Sequence, residues 1–247
     1  MKIGIISDIH GNFEALVAVL KDIESEKCDK IWCLGDLAMA GPEPDKLITY
    51  IKKLYNEGRL DLIQGNTDEM IANFSEELAL KVKQAYPVMG NALENDVKII
   101  SVDNKSFLKT LDKQKSIEIE GVKVLLVHGS PRKNDENITS NLTIDKLDEM
   151  LVGVDEEVIF CGHTHVPCGY QASNKKTVIN VGSVGRPFTP EPQSCYVVAG
   201  FFNGEFDVMH KFVDYDKQKA SEKLSKRDFD GADKLAEMLI KPVVPHI

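Results

Sequence analysis

Seven side chains in this 247-residue sequence are good ligands for a divalent metal: Asp8, His10, Asp36, Asn66, His128, His163 and His165. They stand in "SDIHGN", "LGDLAMAGPEP", "QGNTD", "LVHGS" and "CGHTH". Carboxylate, imidazole and amide oxygen together suit borderline ions such as Mn, Fe or Zn. Four of the six histidines belong to the set. A lone histidine is most often an ordinary polar residue, but seven ligands that each fall just past an apolar run are hard to attribute to chance. Chemistry supplies a reason for so many. Two divalent ions about 3.5–4 Å apart activate water and stabilise both the attacking and the leaving oxygens of an in-line displacement. Two such ions less two aspartates leave about +2, and a bridging hydroxide leaves about +1. That charge suits a phosphate ester.

The elements that must deliver these residues are legible as strand and helix signals. "MKIGIIS" reads as a buried parallel strand, and ligands of open α/β sheets gather beyond the carboxyl ends of such strands. Residues two apart in extended chain share a side, so Asp8 and His10 are expected to reach one point. Phe13, Leu16, Leu20 and Ile23 recur at helical spacing, with Asn12 placed as cap. "KIWCLGD" ends at Asp36, "DKLITYIKKLYNEG" predicts a helix closed by Gly58, and "LDLIQGN" ends at Asn66. Residues 68–115 are mostly helical in pattern, a cap-like insertion over a site. "SIEIEGVKVLLVHGS" predicts a hairpin turning at Glu120 and Gly121. A helix follows around Asp145 to Leu151, and "EEVIFCGHTH" is a further strand ending in histidines. "KKTVINVGS", "SCYVVAGFF" and "FDVMHKFV" are short strands, with a hairpin turn in "FNGEF". The tail 214–247 reads as charged and helical, broken by Gly231, a solvated helical face. With no repeat or linker, the expectation is one α/β domain over 1–247, with two sheets packed face to face and helices outside.

Composition narrows the class. Hydrophobic residues make up 43% and charged residues 28%, as in an ordinary globular protein. The net charge of -9 argues against nonspecific binding to nucleic acid or to an anionic membrane. Five cysteines, odd in number and without a CxxC pair, fit reduced thiols in a cytoplasmic protein. No run of about 18 apolar residues predicts a membrane span, and functional-looking residues from Asp8 onward leave no room for a cleaved leader.

The same five motifs, in order, resemble those of the calcineurin-like metallophosphoesterase superfamily over Met1 to about Arg186, roughly three-quarters of the chain. "GDLAMAGPEPDKLI" and "INVGSVGRP" are most similar to its compact bacterial and archaeal phosphodiesterase branch. The resemblance implies a four-layer α/β/β/α sandwich of two mixed sheets, and a two-metal site. It implies that Asp8, His10 and His165 hold one ion, that Asn66, His128 and His163 hold the other, and that Asp36 bridges them. The implied cofactors are two divalent transition-metal ions, Mn foremost, with Fe, Zn or Ni as alternatives. The implied activity is hydrolysis of a small phosphodiester or nucleotide, such as a cyclic nucleotide or a dinucleoside polyphosphate. A non-catalytic interaction scaffold, as in the retromer subunit that resembles this fold, is the alternative of a different class.

The chain departs from that pattern in places. Where many relatives have a histidine proposed to protonate the leaving group, Thr67 stands, and threonine has no titration near neutral pH. Asp68 is the candidate acid in its stead, with helix capping as the competing role. Arg186 in "VGSVGRPF" is a candidate phosphate contact through its planar fork. Asn12 is split between capping and touching substrate, and Asn66 would also hold a phosphate oxygen. His210 and His246 are assigned to structure or solvent. "GDLAMAGPEP" lacks the acidic and arginine pair that follows "GD" in the protein Ser/Thr phosphatases, which disfavours that activity.

Overall fold

Side chains of the first strand, β1 (Lys2–Ile6), divide between two apolar environments. Ile3 and Ile5 enter one buried cluster, and Ile6 enters another. This is the period-two alternation of a strand covered on both faces. The computed structural model describes residues 1–241. Within it β1 pairs in parallel with β2 (Lys30–Cys33), and β2 in parallel with β3 (Leu60–Leu62). On the other side β1 pairs antiparallel with β9 (Ser194–Phe202), which pairs with β10 (Glu205–Val213). The order of this sheet is β10-β9-β1-β2-β3. The second sheet has the order β4-β5-β6-β8-β7, with β4 (Gln114–Ile119), β5 (Val122–Val127), β6 (Val158–Cys161), β8 (Thr177–Asn180) and β7 (Cys168–Gln171).

Three apolar clusters correspond to three interfaces between four layers. Between the sheets lie Ile3, Ile5, Trp32, Val124, Leu126, Phe160, Val197 and Phe201. Against the outer face of the first sheet pack Leu16 and Val19 of α1 (Phe13–Ser25) and Leu47 and Ile51 of α2 (Pro44–Asn56). Outside the second sheet, Leu147 and Met150 of α7 (Ile144–Met150) cover Ile159, Cys161 and Val178. Trp32 at 2% exposure centres the inter-sheet layer, and its truncation to alanine would cost about 3–5 kcal/mol. The chain therefore forms an α/β sandwich of two five-stranded mixed sheets with helices outside.

Local signals mostly produced the elements expected. Asn12 Oδ1 accepts from Ala15 N at 3.1 Å and caps α1. Both hairpins expected from the sequence turn on two left-handed residues, Glu120–Gly121 and Asn203–Gly204; such turns match the strand twist. Strand β7 was not foreseen. It is short, half-exposed, contains Gly169 and follows Pro167, features that weaken any strand signal. Only three residues of "LDLIQGN" are strand, because Asn66 opens a helix, α3 (Asn66–Ala72). Three more helices fill the stretch to β4: α4 (Glu76–Ala85), α5 (Pro87–Ile99) and α6 (Val102–Lys109). The tail differs from a wholly solvated face. Its helices α8 (Lys217–Ser225) and α9 (Ala232–Ile240) bury Leu224, Leu235 and Leu239 in the first cluster. His210 bonds through Nε2 to the Asn180 carbonyl at 2.7 Å, joining β10 to the other sheet. His246 lies outside the described residues. No helix among the described residues is long and apolar enough to cross a membrane, and all five cysteines are unpaired.

Candidate metal centre

Strands β1, β2 and β3 run parallel, as do β5 and β6, so the loops at their carboxyl ends meet at one edge of the sandwich. Five of the seven expected ligands in those loops have left-handed backbone: Asp8 (φ 55), His10 (φ 47), Asp36 (φ 54), His163 (φ 67) and His165 (φ 62). Each such residue stores strain of order 1 kcal/mol or more. Extended alternation therefore does not bring Asp8 and His10 together, as the sequence had suggested; two successive left-handed kinks do. Close backbone approach completes the scaffold. A Cβ on Gly65 would lie 2.1 Å from Asp36 Oδ1, so only glycine lets the β3–α3 turn reach that carboxylate.

The first group is Asp8, His10 and His165, with one ligand atom each mutually within 4.8 Å. His10 Nδ1 lies 2.9 Å from the Met39 carbonyl, and His165 Nδ1 lies 2.8 Å from that of Arg186. A carbonyl oxygen only accepts, so both Nδ1 atoms carry hydrogen, and it is Nε2 of each ring that is left to hold a metal. Those two Nε2 atoms face each other at 3.1 Å. Asp8 Oδ1, buried and without a hydrogen-bond partner, lies 3.2 Å from His165 Nε2 and 3.9 Å from His10 Nε2. Three potential ligand atoms thus converge in a buried space, and with both rings neutral a cation among them would relieve their mutual repulsion. The donor set fits a divalent metal ion.

The second group adjoins it. His128 Nδ1 donates to the Leu34 carbonyl at 2.8 Å, which turns Nε2 toward Asn66 Oδ1 at 2.9 Å and Asp36 Oδ2 at 3.4 Å. Asn66 Oδ1 is also 2.9 Å from His163 Nδ1. Asp36 Oδ2 stands between the groups, 3.7 Å from His10 Nε2 as well. Asp8 Oδ1 is similarly placed, 3.9 Å from His128 Nε2. Both carboxylates thus lie between the two sets of imidazoles. Asp8, His10, Asp36, His128 and His165 are buried, whereas Asn66 and His163 are partly exposed and mark the open side.

The electrostatics follow from burial and crowding. Burial opposes the charge of Asp8, yet His165 and His128 hold its carboxyl well below the usual carboxylate range. Burial likewise opposes Asp36, and His128 lowers it. Burial, reinforced by His165, drops His10 to about 4. At His128 burial is outweighed by Asp36 and Asp8, which raise it to about 10.

Several expected roles change. Asp68 is wholly buried and accepts three backbone N–H bonds, from Asp36 at 2.8 Å, Leu37 at 2.9 Å and Gly65 at 3.0 Å. Burial and the charge of Asp36 push its pKa up to about 7, but no face of it is left for a substrate proton. Asp68 is a clasp between two ligand loops and not a leaving-group acid. It does cap a helix, though not through Glu69 and Met70: α3 begins two residues earlier, and Asp68 accepts the N–H of its N-cap residue Gly65. Asn12 is 1% exposed; besides capping α1, its Nδ2 donates to the Gly185 carbonyl at 3.0 Å, so both ends of its amide bind the fold itself. Thr67 donates its hydroxyl to the Ala38 carbonyl at 3.0 Å and its amide to Asp36 Oδ1 at 2.9 Å. Arg186 is partly exposed, and burial lowers its pKa to about 10 while Asp36 and Asp8 oppose that fall. Its Nη1 meets only Met89 Sδ, at 3.8 Å.

Sequence reading missed the support for His10. Its Met39 contact sits on a loop with left-handed Met39 (φ 80) and Ala40 (φ 62). Asp96 of α5 holds that loop by accepting Ala40 N at 3.1 Å, and is itself paired with Arg227. An aspartate and an arginine 131 positions apart carry no local pattern that could have linked them.

Comparison with known proteins agrees with this geometry. Residues 1–201 match the calcineurin-like phosphoesterase superfamily domain. An uncharacterized protein of Methanocaldococcus jannaschii is 32% identical over 238 residues, covering 91% of this chain and 92% of the other. A symmetrical bis(5'-nucleosyl)-tetraphosphatase of Salmonella paratyphi B is 38% identical over 65 residues, only 26% of this chain and 22% of its own. Among solved structures, a metallophosphoesterase of Sphaerobacter thermophilus superposes with a TM-score of 0.76 at 25% identity, covering 97% of this chain and 98% of that one. A hypothetical protein of Pyrococcus horikoshii OT3 shares the fold with a TM-score of 0.86 at 20% identity, over 99% of both chains. With the motifs, the converging ligands and the match over most of its length, the chain belongs to the calcineurin-like phosphoesterase superfamily.

Proposed function

We propose that the protein hydrolyses small phosphodiesters or nucleotides with the help of two divalent ions, Mn²⁺ foremost. The observation that carries this reading is the pair of adjoining acceptor groups that meet at Asp8 and Asp36. Two divalent ions bound there supply the polarisation of water and of phosphoryl oxygens that phosphate ester hydrolysis requires. The chain's own residues do the rest. Nδ1–H bonds to backbone carbonyls lock the rings of His10, His128 and His165 in one tautomer and one orientation. Asp8 and Asp36 stay ionised, which leaves the loaded centre at about +2 and favours an anionic ester.

Arg186 is the free donor beside the centre. Among the described residues no carboxylate lies within ion-pair distance of it, and its fork matches two non-bridging phosphate oxygens. Thr67 and Asp68, both tied to backbone, offer substrate no accessible acid at the position of the family histidine. Substrates that depart as stable anions are favoured accordingly, aryl diesters and nucleoside polyphosphates before alkyl esters. The acidic net charge of -9 points to a small substrate and not to a nucleic acid, and five unpaired thiols suit a reducing compartment such as the cytoplasm.

The test is a panel assayed with Mn²⁺: an aryl phosphodiester, cyclic nucleotides, a dinucleoside tetraphosphate and an aryl monoester. Cleavage of one or more of the first three is the expected result. Cleavage of the monoester alone overturns the diesterase assignment, and inertness of a metal-loaded chain toward all four turns the reading toward an interaction scaffold.

A further inference from the structure

A groove of about 380 Å³ opens from the metal centre on the side of Asn66. Its walls are α3, the start of α4, and the loop that follows β5. We propose that this groove is a nucleobase subsite, the place where the organic group of a nucleotide substrate lies; the proposal rests on the phosphoesterase reading above.

Position is the first argument. Asn66 belongs to the ligand group of His128 and His163 and also lines the groove. A phosphorus held at that group therefore has its ester substituent at the groove mouth, whereas Arg186, whose carbonyl receives His165 Nδ1, stands beside the other group.

Charge is the second argument. Two lysines line the groove, but each is neutralised: Lys113 lies 2.6 Å from Glu69 and Lys133 lies 2.9 Å from Asp135. The four charges cancel, so the groove does not call for a further phosphate. It suits an uncharged group.

The lining chemistry is the third. Met70 and Leu78 offer apolar surface for a flat ring, and methionine packs well against aromatic edges. Asn73 and Asn134 offer side-chain amides, which donate and accept at once and so match the mixed edge of a heterocyclic base. Asn134 is only weakly engaged by the protein. Its Oδ1 is buried without a hydrogen-bond partner, and its Nδ2 reaches only Glu69 Oε2, at 3.5 Å. The Asn134 side chain is thus weakly held where it lines the groove. An aryl or alkyl group would use the apolar wall alone and leave the amide unmatched.

The experiment compares AMP with ribose 5-phosphate on the Mn²⁺-loaded chain, by calorimetry and by inhibition of bis(p-nitrophenyl) phosphate hydrolysis. The two ligands share the phosphate and differ only by the base. The expected result is AMP binding about tenfold more tightly, with the gap narrowed to about threefold or less in Asn134→Ala and in Leu78→Asp, as loss of one or two modest contacts implies. Equal binding of the two ligands by the native chain overturns the subsite and leaves the phosphoesterase reading intact. An undiminished preference for AMP in both variants overturns it as well. Failure to hydrolyse the reporter and every other member of the substrate panel with Mn²⁺ bound overturns the phosphoesterase reading, and the subsite with it.

Discussion

His10 and His165 face each other through Nε2 across 3.1 Å, each ring fixed by a bond from Nδ1 to a backbone carbonyl. With both rings neutral, two such acceptors repel unless a cation lies among them, and Asp8 Oδ1 adds a third. Metal removal should therefore destabilise the fold. A ligand at about a hundred times its dissociation constant contributes about 2.7 kcal/mol, which in a chain of this size is a Tm shift of about 5–10 °C. Thermal unfolding with Mn²⁺ and with a chelator measures this directly. A Tm indifferent to both would count against a metal between these histidines.

Metal uptake should also release protons, in a number that the site fixes. His128, raised to about 10 by Asp36 and Asp8 against its burial, is charged at pH 7.5 and must lose a proton to become a ligand. His10, lowered to about 4 by burial and His165, is already neutral there and releases none. Affinity should thus rise with pH through the neutral range, with about one proton set free per chain by His128. Calorimetry in buffers of different ionisation enthalpy counts that proton, and binding without release would show His128 to be uninvolved.

Asp68→Asn separates a clasp from an acid. The amide replaces an acceptor oxygen with a donor facing backbone N–H groups, so at least one bond from Asp36, Leu37 or Gly65 is lost. A loss of about 2–4 kcal/mol in unfolding free energy is expected, together with weaker Mn²⁺ binding because the Asp36 loop is released. If Asp68 instead protonated leaving groups, the variant would keep its stability and lose one limb of its pH–rate profile.

Thr67→His should change selectivity among leaving groups. A titratable imidazole restores general acid catalysis, which typically contributes 10²–10⁴-fold and matters most for poor leaving groups. The ratio of alkyl to aryl diester hydrolysis is expected to rise at least tenfold. The exchange also breaks the hydroxyl bond to the Ala38 carbonyl in a site only 4% exposed, so a lower Tm accompanies it. Equal changes in both rates would remove Thr67 from the account of substrate preference.

What the sequence revealed, and what it hid, divides along a physical line. The ligands were legible because chemistry restricts them to a few residue types and the parallel sheet places them at strand ends, one motif at a time. The roles of Asn12 and Asp68 were not, because an amide or carboxylate next to a helix start has the same local pattern whether it faces substrate or backbone. Only the bonds to Gly185, Asp36 and Leu37 decide between them. The kinks at Asp8 and His10 were equally hidden, since Asp and His enter the left-handed region without the glycine that usually signals it. The tail was misread for a related reason: its charged residues dominate the composition, while Leu224, Leu235 and Leu239 carry the packing.

That tail reaches the metal centre through one chain of bonds, which yields the last prediction. Arg227, between α8 and α9, pairs with buried Asp96 and donates to the Gly41 carbonyl at 2.5 Å. Asp96 accepts Ala40 N at 3.1 Å, and the adjoining Met39 carbonyl receives His10 Nδ1 at 2.9 Å. Arg227→Ala leaves a buried carboxylate without its cation, a loss of about 3–5 kcal/mol. Outer partners of metal ligands are typically worth 10–100-fold in affinity, so a loss of about tenfold or more in Mn²⁺ binding at the His10 group is expected. Instability alone could mimic this, and Leu235→Ala serves as the control. It removes apolar packing from the same tail, for about 2–5 kcal/mol, without touching the Asp96 chain of bonds. Titrated with Mn²⁺ under conditions where both are folded, Arg227→Ala should bind weakly and Leu235→Ala nearly as the native chain does. Equal weakening in the two would reduce Arg227 to a stabiliser of the fold, with no part in positioning His10.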